Sequence, residues 1–414
     1  MLQWRGIAQS DPGRERSDNQ DAYVADDDLG LYVVSDGMGG HAAGDVASSL
    51  AVASVRDYVV AHGGEAKDRE QVLQLARRAV MQASQAVFDA AIAEPDNAGM
   101  GCTLTVLIIR DGYVVIAHVG DSRCYLQRGT DAWQLTTDHT VGAELTRADQ
   151  SLEDSLDDTT YAGVLTRTVG TQPSVQPDTL DVDLLPGDRL VLCTDGFSDH
   201  VESPKWLAVR LQGEADDATV EDMVTHAKSA GAGSNLTVLL IATYDDDEDA
   251  PGQRRYLEVS SRLRALSSVF LFNTLSVGPL SRLLRSCEVR ALEAGETLVA
   301  QGETLEALVV VTEGCLELVR GDEEVGTLAP REYAGISALL CPRKARATLR
   351  ARVASSALLL HRGSLVSLAR VRPFLGINLL ERLGKELSMS LDDSVARRDD
   401  GDPSTTPLLA TEKL

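Results

Sequence analysis

Aromatic side chains are scarce here, at 4% of 414 residues, so any core must be built from Val, Leu and Ala. Positive charge is also short. Lys and Arg total 39 against 63 Asp and Glu, a formal charge of −24. That balance excludes nucleic acid and anionic membrane as partners, since both need a basic footprint. It attracts cations. The six cysteines stand singly, with no Cys-x-x-Cys pair, which excludes a zinc ribbon or disulfide scaffold. No apolar run approaches membrane-spanning length, and the opening Met1-Leu2-Gln3-Trp4-Arg5-Gly6 has no signal-peptide core. The expectation is a reducing, cytoplasmic setting.

What is present is length for two domains and 43% hydrophobic residues. Three apolar runs finish on an aspartate beside a glycine. They are 31–34 into Ser35-Asp36-Gly37, 114–119 into Gly120-Asp121, and 190–193 into Thr194-Asp195-Gly196. Each reads as a buried strand delivering a carboxylate to its end, where glycine permits a sharp turn. Gathered carboxylates make an oxygen-rich site for hard cations such as Mg²⁺ or Mn²⁺. Asp-Gly pairs are also ordinary turn signals, and taken singly each run is open to that reading. Asp21, His41, Ser122, Arg123 and Asp199 add polar groups nearby.

Hydrophobic spacing predicts helices over about 44–60 and 69–93, then strands at 103–109, 113–119, 123–127, 189–193 and 235–242. Residues 141–163 are polar and acidic and read as a surface segment. The run from Asp245 to Gly252 is acidic with Pro and Gly, so residues 245–255 read as a linker. Beyond it, helical patterns near 257–270 and 279–287 precede six short strands, a β-roll or jelly-roll spacing. Helical patterns at 364–371 and 374–391 follow, and 392–414 read as a disordered tail.

Eight motifs in order carry a resemblance through residues 1–244. They are Asp11-Pro12-Gly13-Arg14-Glu15-Arg16-Ser17-Asp18-Asn19-Gln20-Asp21, Asp36-Gly37-Met38-Gly39-Gly40-His41, Gly101-Cys102-Thr103, and His118-Val119-Gly120-Asp121-Ser122-Arg123. Thr137-Asp138-His139, Leu165-Thr166-Arg167, Thr194-Asp195-Gly196-Phe197-Ser198-Asp199 and Asn235-Leu236-Thr237-Val238 complete the set. The segment resembles the type-2C metal-dependent protein serine/threonine phosphatases, the PPM family, in its bacterial branch. The resemblance implies an α+β fold, a central β-sandwich flanked by helices. It implies hydrolysis of phosphoserine and phosphothreonine on proteins by water bridging two Mg²⁺ or Mn²⁺ ions. The phosphoprotein substrate would be the target of a Ser/Thr kinase.

By the same resemblance Asp36 bridges two metals, the Gly37 carbonyl joins one, and Asp195 holds the second. Asp121 and Asp199 match a third, weaker metal position. Asp21 orients the attacking water, Arg16 holds phosphate through its guanidinium fork, and His41 contacts the leaving group or takes a turn role. His118 reads as a core residue, and Arg123 and Arg167 as ion-pair partners.

One departure stands out. The family has aspartate before the asparagine that opens its last strand, and here that position is Ser234. A hydroxyl is a poorer ligand than a carboxylate for a hard dication. Three outcomes follow: an enzyme needing more metal, a site using only some of its metals, or a metal-poor pseudophosphatase that binds phosphoproteins. The surviving acidic positions favour hydrolysis.

Residues about 262–375, within a domain of 256–391, resemble the cyclic-nucleotide-binding domains. Leu292-Glu293-Ala294-Gly295-Glu296-Thr297-Leu298, Glu313-Gly314, Leu328-Ala329-Pro330-Arg331-Glu332-Tyr333-Ala334-Gly335 and Ala347-Thr348-Leu349-Arg350-Ala351 carry it. The ligand residues depart. Gly335 is followed by Ile336 where the family has a ribose-binding glutamate, and Ala345 replaces the phosphate-binding arginine, with Arg343, Lys344 and Arg346 around it. The preferred reading is a ligand-free docking or autoregulatory module. Cyclic nucleotide or another anion at Gly335, Arg343 and Arg346 is the alternative.

Overall fold

The apolar runs do form strands, and their continuity has a reason. Both faces of each sheet are covered, so consecutive residues are buried instead of alternating. In the computed structural model, residues 2–39, 43–110, 112–148, 161–245, 251–273, 275, 277–371 and 376–385 are described. The chain divides into two compact units, Met1–Tyr256 and Leu257–Leu414.

The first unit contains two antiparallel sheets. One holds five strands: β1 (Leu2–Asp11), β7 (Arg123–Arg128), β8 (Asp131–Gln134), β10 (Arg189–Cys193) and β11 (Leu236–Asp245), in the order β1-β11-β10-β7-β8. The other orders β2 (Asp21–Asp26), β3 (Leu31–Met38), β5 (Leu104–Arg110), β6 (Tyr113–Val119) and β9 (Asp178–Asp183) side by side, with the short β4 (Gly101–Cys102) extending β3.

Helices α1 (Ala43–His62) and α2 (Arg69–Ala93) cover the second sheet. Ala47, Ala51, Val55 and Val59 line one face of α1 at helical spacing and pack with Val33, Val106 and Ile108. Helix α2 starts where Asp68 accepts from the Gln71 N–H at 2.8 Å. On the first sheet, α5 (Pro204–Arg210) and α6 (Asp217–Ala230) pack Leu207, Val220, Met223 and Val224 against Val191, Val238 and Leu240. The intervening strand residues Tyr32, Val34, Leu107, Leu190, Leu192, Leu239 and Ile241 are buried as well.

Several expectations shift. β1, β2 and β9 are strands although their sequences are polar, because pairing with β11, β3 and β6 supplies the order. The segment from 141 begins with α3 (Val141–Ala148), and residues 149–160 lie outside the described residues. So do 246–250 of the acidic run, after which a helix starts at Pro251 and continues to Ser267. The 392–414 segment also lies outside them.

The second unit has two four-stranded antiparallel sheets and a two-stranded one. Leu292, Val309, Val311, Leu316, Leu318 and Leu349 form a core shared by the two larger sheets, a β-roll. Helices Val277–Arg285, Arg362–Val371 and 376–385 accompany it. Leu280, Leu283, Leu365, Leu379 and Leu383 pack with Leu308, Val310 and Leu358 of the roll.

Candidate active site

The three strand-end aspartates do not arrive in one way. β3 runs on to Met38, so Asp36 lies inside the strand, directly opposite Asp21 of β2. Pairing with β2 and β4 carries the strand past its apolar run. Asp121 follows β6 through Gly120, whose φ of +106° does need glycine. Asp195 opens a four-residue helix, α4 (Asp195–Ser198), after β10. Gly37 and Gly196 serve close packing instead of turning. A Cβ on Gly37 would lie 2.0 Å from the Gly44 carbonyl oxygen, and one on Gly196 2.1 Å from that of Asn235.

Hydrogen bonds hold the backbone of Asp36 and Asp199 and one carboxylate oxygen of Asp21. The Asp36 N–H donates to Thr103 Oγ1 and its carbonyl accepts from the Thr103 N–H, both at 2.9 Å. Asp21 Oδ2 accepts from Thr194 Oγ1 at 2.8 Å and Thr237 Oγ1 at 2.7 Å. The Asp199 N–H donates to the Asp195 carbonyl at 2.9 Å, and Asp199 is exposed.

Burial and mutual repulsion dominate the electrostatics. Burial pushes the Asp21 carboxyl up to about 6 against the pull of the Thr237 and Thr194 hydroxyls, and Asp195 adds to the rise. Asp36 is raised well above the usual range by burial, then by Asp21, Asp195 and Asp121. Asp121 rises to about 7 through burial, then Asp195 and Asp138. Asp199 is raised by partial burial and then Asp195, while Arg123 pulls the other way.

Such a cluster of like charges fits a divalent cation, which would stabilise all of them at once. Asp21 Oδ1 and Asp195 Oδ1 are buried with no hydrogen-bond partner among the described residues, leaving hard oxygen donors uncommitted. Among the described residues no group of three or more His, Cys, Asp or Glu is already arranged to hold a metal ion. The fit rests on the donor chemistry and the unspent oxygens.

Arg16 sits on the exposed loop between β1 and β2. That loop is fastened by a residue whose role sequence reasoning missed. Buried Asn235 donates from Nδ2 to the Pro12 and Asp18 carbonyls at 3.0 and 2.8 Å, and its Oδ1 accepts from the Gln20 N–H at 2.9 Å. Ser234, next to it, is exposed and makes no side-chain hydrogen bond among the described residues. Gly40 and His41 lie outside the described residues.

His118 is fully buried, as a core residue should be, yet only half satisfied. Nδ1 meets Thr105 Oγ1 at 2.9 Å, and Nε2 has no partner among the described residues. Arg123 grips Asp138, and Arg167 pairs with Asp178 at 2.8 Å. The other missed group is the hydroxyl set Thr194, Thr237 and Ser10. Two of these lie within the quoted motifs, but nothing in a linear string aims a threonine at a distant aspartate.

In the second unit Gly335, Arg343 and Arg346 come together with Leu305, Ser337 and Ala338 around a pocket of about 20 Å³. That is room for roughly one water. Arg343, Lys344 and Arg346 are exposed, and Ala345 is buried.

Residues 13–240 match the family model for protein phosphatase 2C, and residues 289–371 the model for a cyclic nucleotide-binding domain. The Listeria monocytogenes serine/threonine phosphatase stp is 32% identical over 235 residues, 56% of this chain and 93% of that protein. Protein phosphatase PhpP of Streptococcus pneumoniae is 31% identical over 248 residues, 58% of this chain and 98% of its own length. The crystal structure of the PstP catalytic domain with two manganese ions is 30% identical, with a TM-score of 0.52, covering 59% of this chain and all of that one. With its two-sheet fold, its buried carboxylates and more than half its length matched, this chain belongs to the protein phosphatase 2C family and carries a cyclic nucleotide-binding-type domain after the phosphatase segment.

Proposed function

We propose that this chain hydrolyses phosphoserine and phosphothreonine on proteins at a centre of two Mg²⁺ or Mn²⁺ ions and a third, weaker one. The observation that carries the reading is the meeting of Asp21, Asp36, Asp121 and Asp195, whose carboxyls act on one another. When bound, the ions supply Lewis acidity that makes water reactive at neutral pH and neutralises phosphoryl charge.

The chain's own groups would divide the remaining work. Asp36, Asp195, Asp121 and Asp199, with the Gly37 carbonyl, would hold the ions. Asp21, committed through Oδ2 to two hydroxyls, would use its unpartnered Oδ1 to orient the attacking water. Arg16, exposed on its anchored loop, would hold the phosphoryl group, and His41 would meet the leaving group. Ser234 stands beside this loop as a weak ligand in place of a carboxylate. The pseudophosphatase alternative rests on Ser234 alone, and the retained carboxylates weigh against it.

Residues 1–244 would form the catalytic domain, 245–255 the linker and 256–391 a regulatory domain without a cyclic-nucleotide ligand. Ile336 after Gly335 and Ala345 at the arginine position support that last point. The substrate would be a phosphoprotein made by a Ser/Thr kinase in the cytoplasm. No helix among the described residues is long and apolar enough to cross a membrane.

Turnover of p-nitrophenyl phosphate and a phosphothreonine peptide, titrated with Mn²⁺, tests the reaction. The reading is lost if the full chain stays inactive at millimolar Mn²⁺. Comparing the full chain with residues 1–250 tests regulation. The shorter piece matches nearly the whole length of relatives such as PhpP. Equal rates would remove the regulatory role.

A further inference from the structure

The hydroxyl cluster behind Asp21 has a definite direction. Thr194 and Thr237 each donate their single hydroxyl proton to Asp21 Oδ2. Thr237 Oγ1 also lies 2.7 Å from Ser10 Oγ. With its own proton committed, Thr237 can only accept there, so Ser10 must donate. Ser10 Oγ in turn accepts from Asn19 Nδ2 at 2.8 Å. On the other branch, Thr194 Oγ1 accepts from the Thr237 N–H at 2.9 Å. Every proton in the chain Asn19–Ser10–Thr237 points toward Asp21. Donors aligned this way polarise one another.

The frame beneath is stiff. The Thr194 N–H donates to the Thr237 carbonyl at 3.1 Å, and Ser10 pairs with Thr237 in the β1–β11 register. Thr194 and Thr237 are wholly buried. The result is asymmetric: Oδ2 of Asp21 is saturated by two hydroxyls, and Oδ1 is buried and unpartnered among the described residues.

We propose that Thr237 and Thr194, supported by Ser10, are positioning residues for the phosphatase reaction: they fix the rotation of the Asp21 carboxylate so that Oδ1 alone faces the reacting water. This rests on the phosphatase reading above. Neither threonine needs to touch substrate or metal. Their effect belongs to the reacting geometry, so loss of a hydroxyl lowers kcat and leaves KM in place.

Threonine allows a clean dissection, because its methyl and hydroxyl can be removed separately. In the full chain at saturating Mn²⁺, Thr237→Val keeps the shape and loses the donor, while Thr237→Ser keeps the donor and loses the methyl. The expected result is kcat down about tenfold for the valine variant with KM unchanged, the scale of losses of supporting hydrogen bonds around metal sites. The serine variant should stay within about threefold of the parent chain, since it restores that hydrogen bond. The same pair at Thr194 provides an independent series if a Thr237 variant fails to fold, judged by thermal melting. A packing role gives the opposite order, with serine worse than valine, and overturns the proposal. So does a valine variant with parental kcat, or one altered only in KM. A parent chain without turnover fails earlier, at the phosphatase reading, and removes the positioning role with it.

Discussion

Asp21 and Asp36 are paired residues on neighbouring antiparallel strands, so the backbone itself holds two carboxylates side by side. Directly opposed like charges destabilise a sheet, and here burial raises both carboxyls, with Asp195 and Asp121 adding to the repulsion. The fold keeps an unfavourable arrangement that a bound cation would reverse.

Removing one charge should therefore stabilise the metal-free protein while ending its chemistry. Asp36→Asn should raise the melting temperature in EDTA by about 3 °C, equivalent to ~1 kcal/mol for a domain of this size. The same variant should lose turnover and any stabilisation by Mn²⁺. A melt lowered in EDTA would show that the Asp36 charge is stabilising after all.

The raised carboxyls make stability depend on pH in a defined direction. Asp21 and Asp121 titrate near 6 and 7 when folded against 3.8 as free carboxyls. Between those limits the folded state holds more protons than the unfolded one. Metal-free stability should then fall as pH rises from about 4 to 7 and level off above. Asp178 works in reverse. Held low by His139 and Arg167 against its partial burial, it contributes stability that is lost only in stronger acid. Because protons compete with cations for these oxygens, apparent Mn²⁺ affinity should rise over pH 5–7. Calorimetric Mn²⁺ titrations at three pH values check the sign.

Ser234 is exposed and unconstrained by side-chain hydrogen bonds among the described residues, so a carboxylate should be accepted there without loss of fold. Ser234→Asp should reduce the Mn²⁺ concentration for half-maximal turnover by about tenfold, with a smaller change in kcat at saturation. An unchanged metal titration would place this residue outside the cation site.

Asn235 makes three side-chain hydrogen bonds that hold the loop carrying Arg16. Asn235→Ala should cost about 3 kcal/mol, at ~1 kcal/mol per bond. It should raise KM more than it lowers kcat, because the phosphate-holding arginine loses its anchorage. Urea melts and steady-state kinetics on the same preparation separate the two effects.

The Arg128–Asp188 pair is a structural counterpart to the active cleft. Its side chains are 1% and 0% exposed, and Asp188 also accepts from the Leu185 N–H at 2.8 Å. Breaking it leaves a buried charge without its partner, so Asp188→Ala should destabilise by about 3–5 kcal/mol. Metal dependence should be untouched in whatever fraction stays folded.

Legibility in the sequence followed burial. Helix α2 was readable over about 69–93, since its apolar stripe is a local signal. The buried strands of both sheets were readable as apolar runs. β1, β2 and β9 were not, because polar strands take their order from neighbours far along the chain. The same limit applied at the cleft. Asp21 was visible as a motif residue, but its position inside a strand pairing and opposite Asp36 was not.

By itself the sequence determined the family, the order of its motifs, the carboxylates available to a cation and the missing one at Ser234. Those are matters of residue type and local spacing. Tertiary structure alone decided which oxygen of Asp21 is spent and which is free. That depends on Thr194 and Thr237, which lie 173 and 216 positions away in the chain. A hydrogen bond is set by distances of a few ångströms, and only the stacking of β10 and β11 beside β2 brings those hydroxyls within reach.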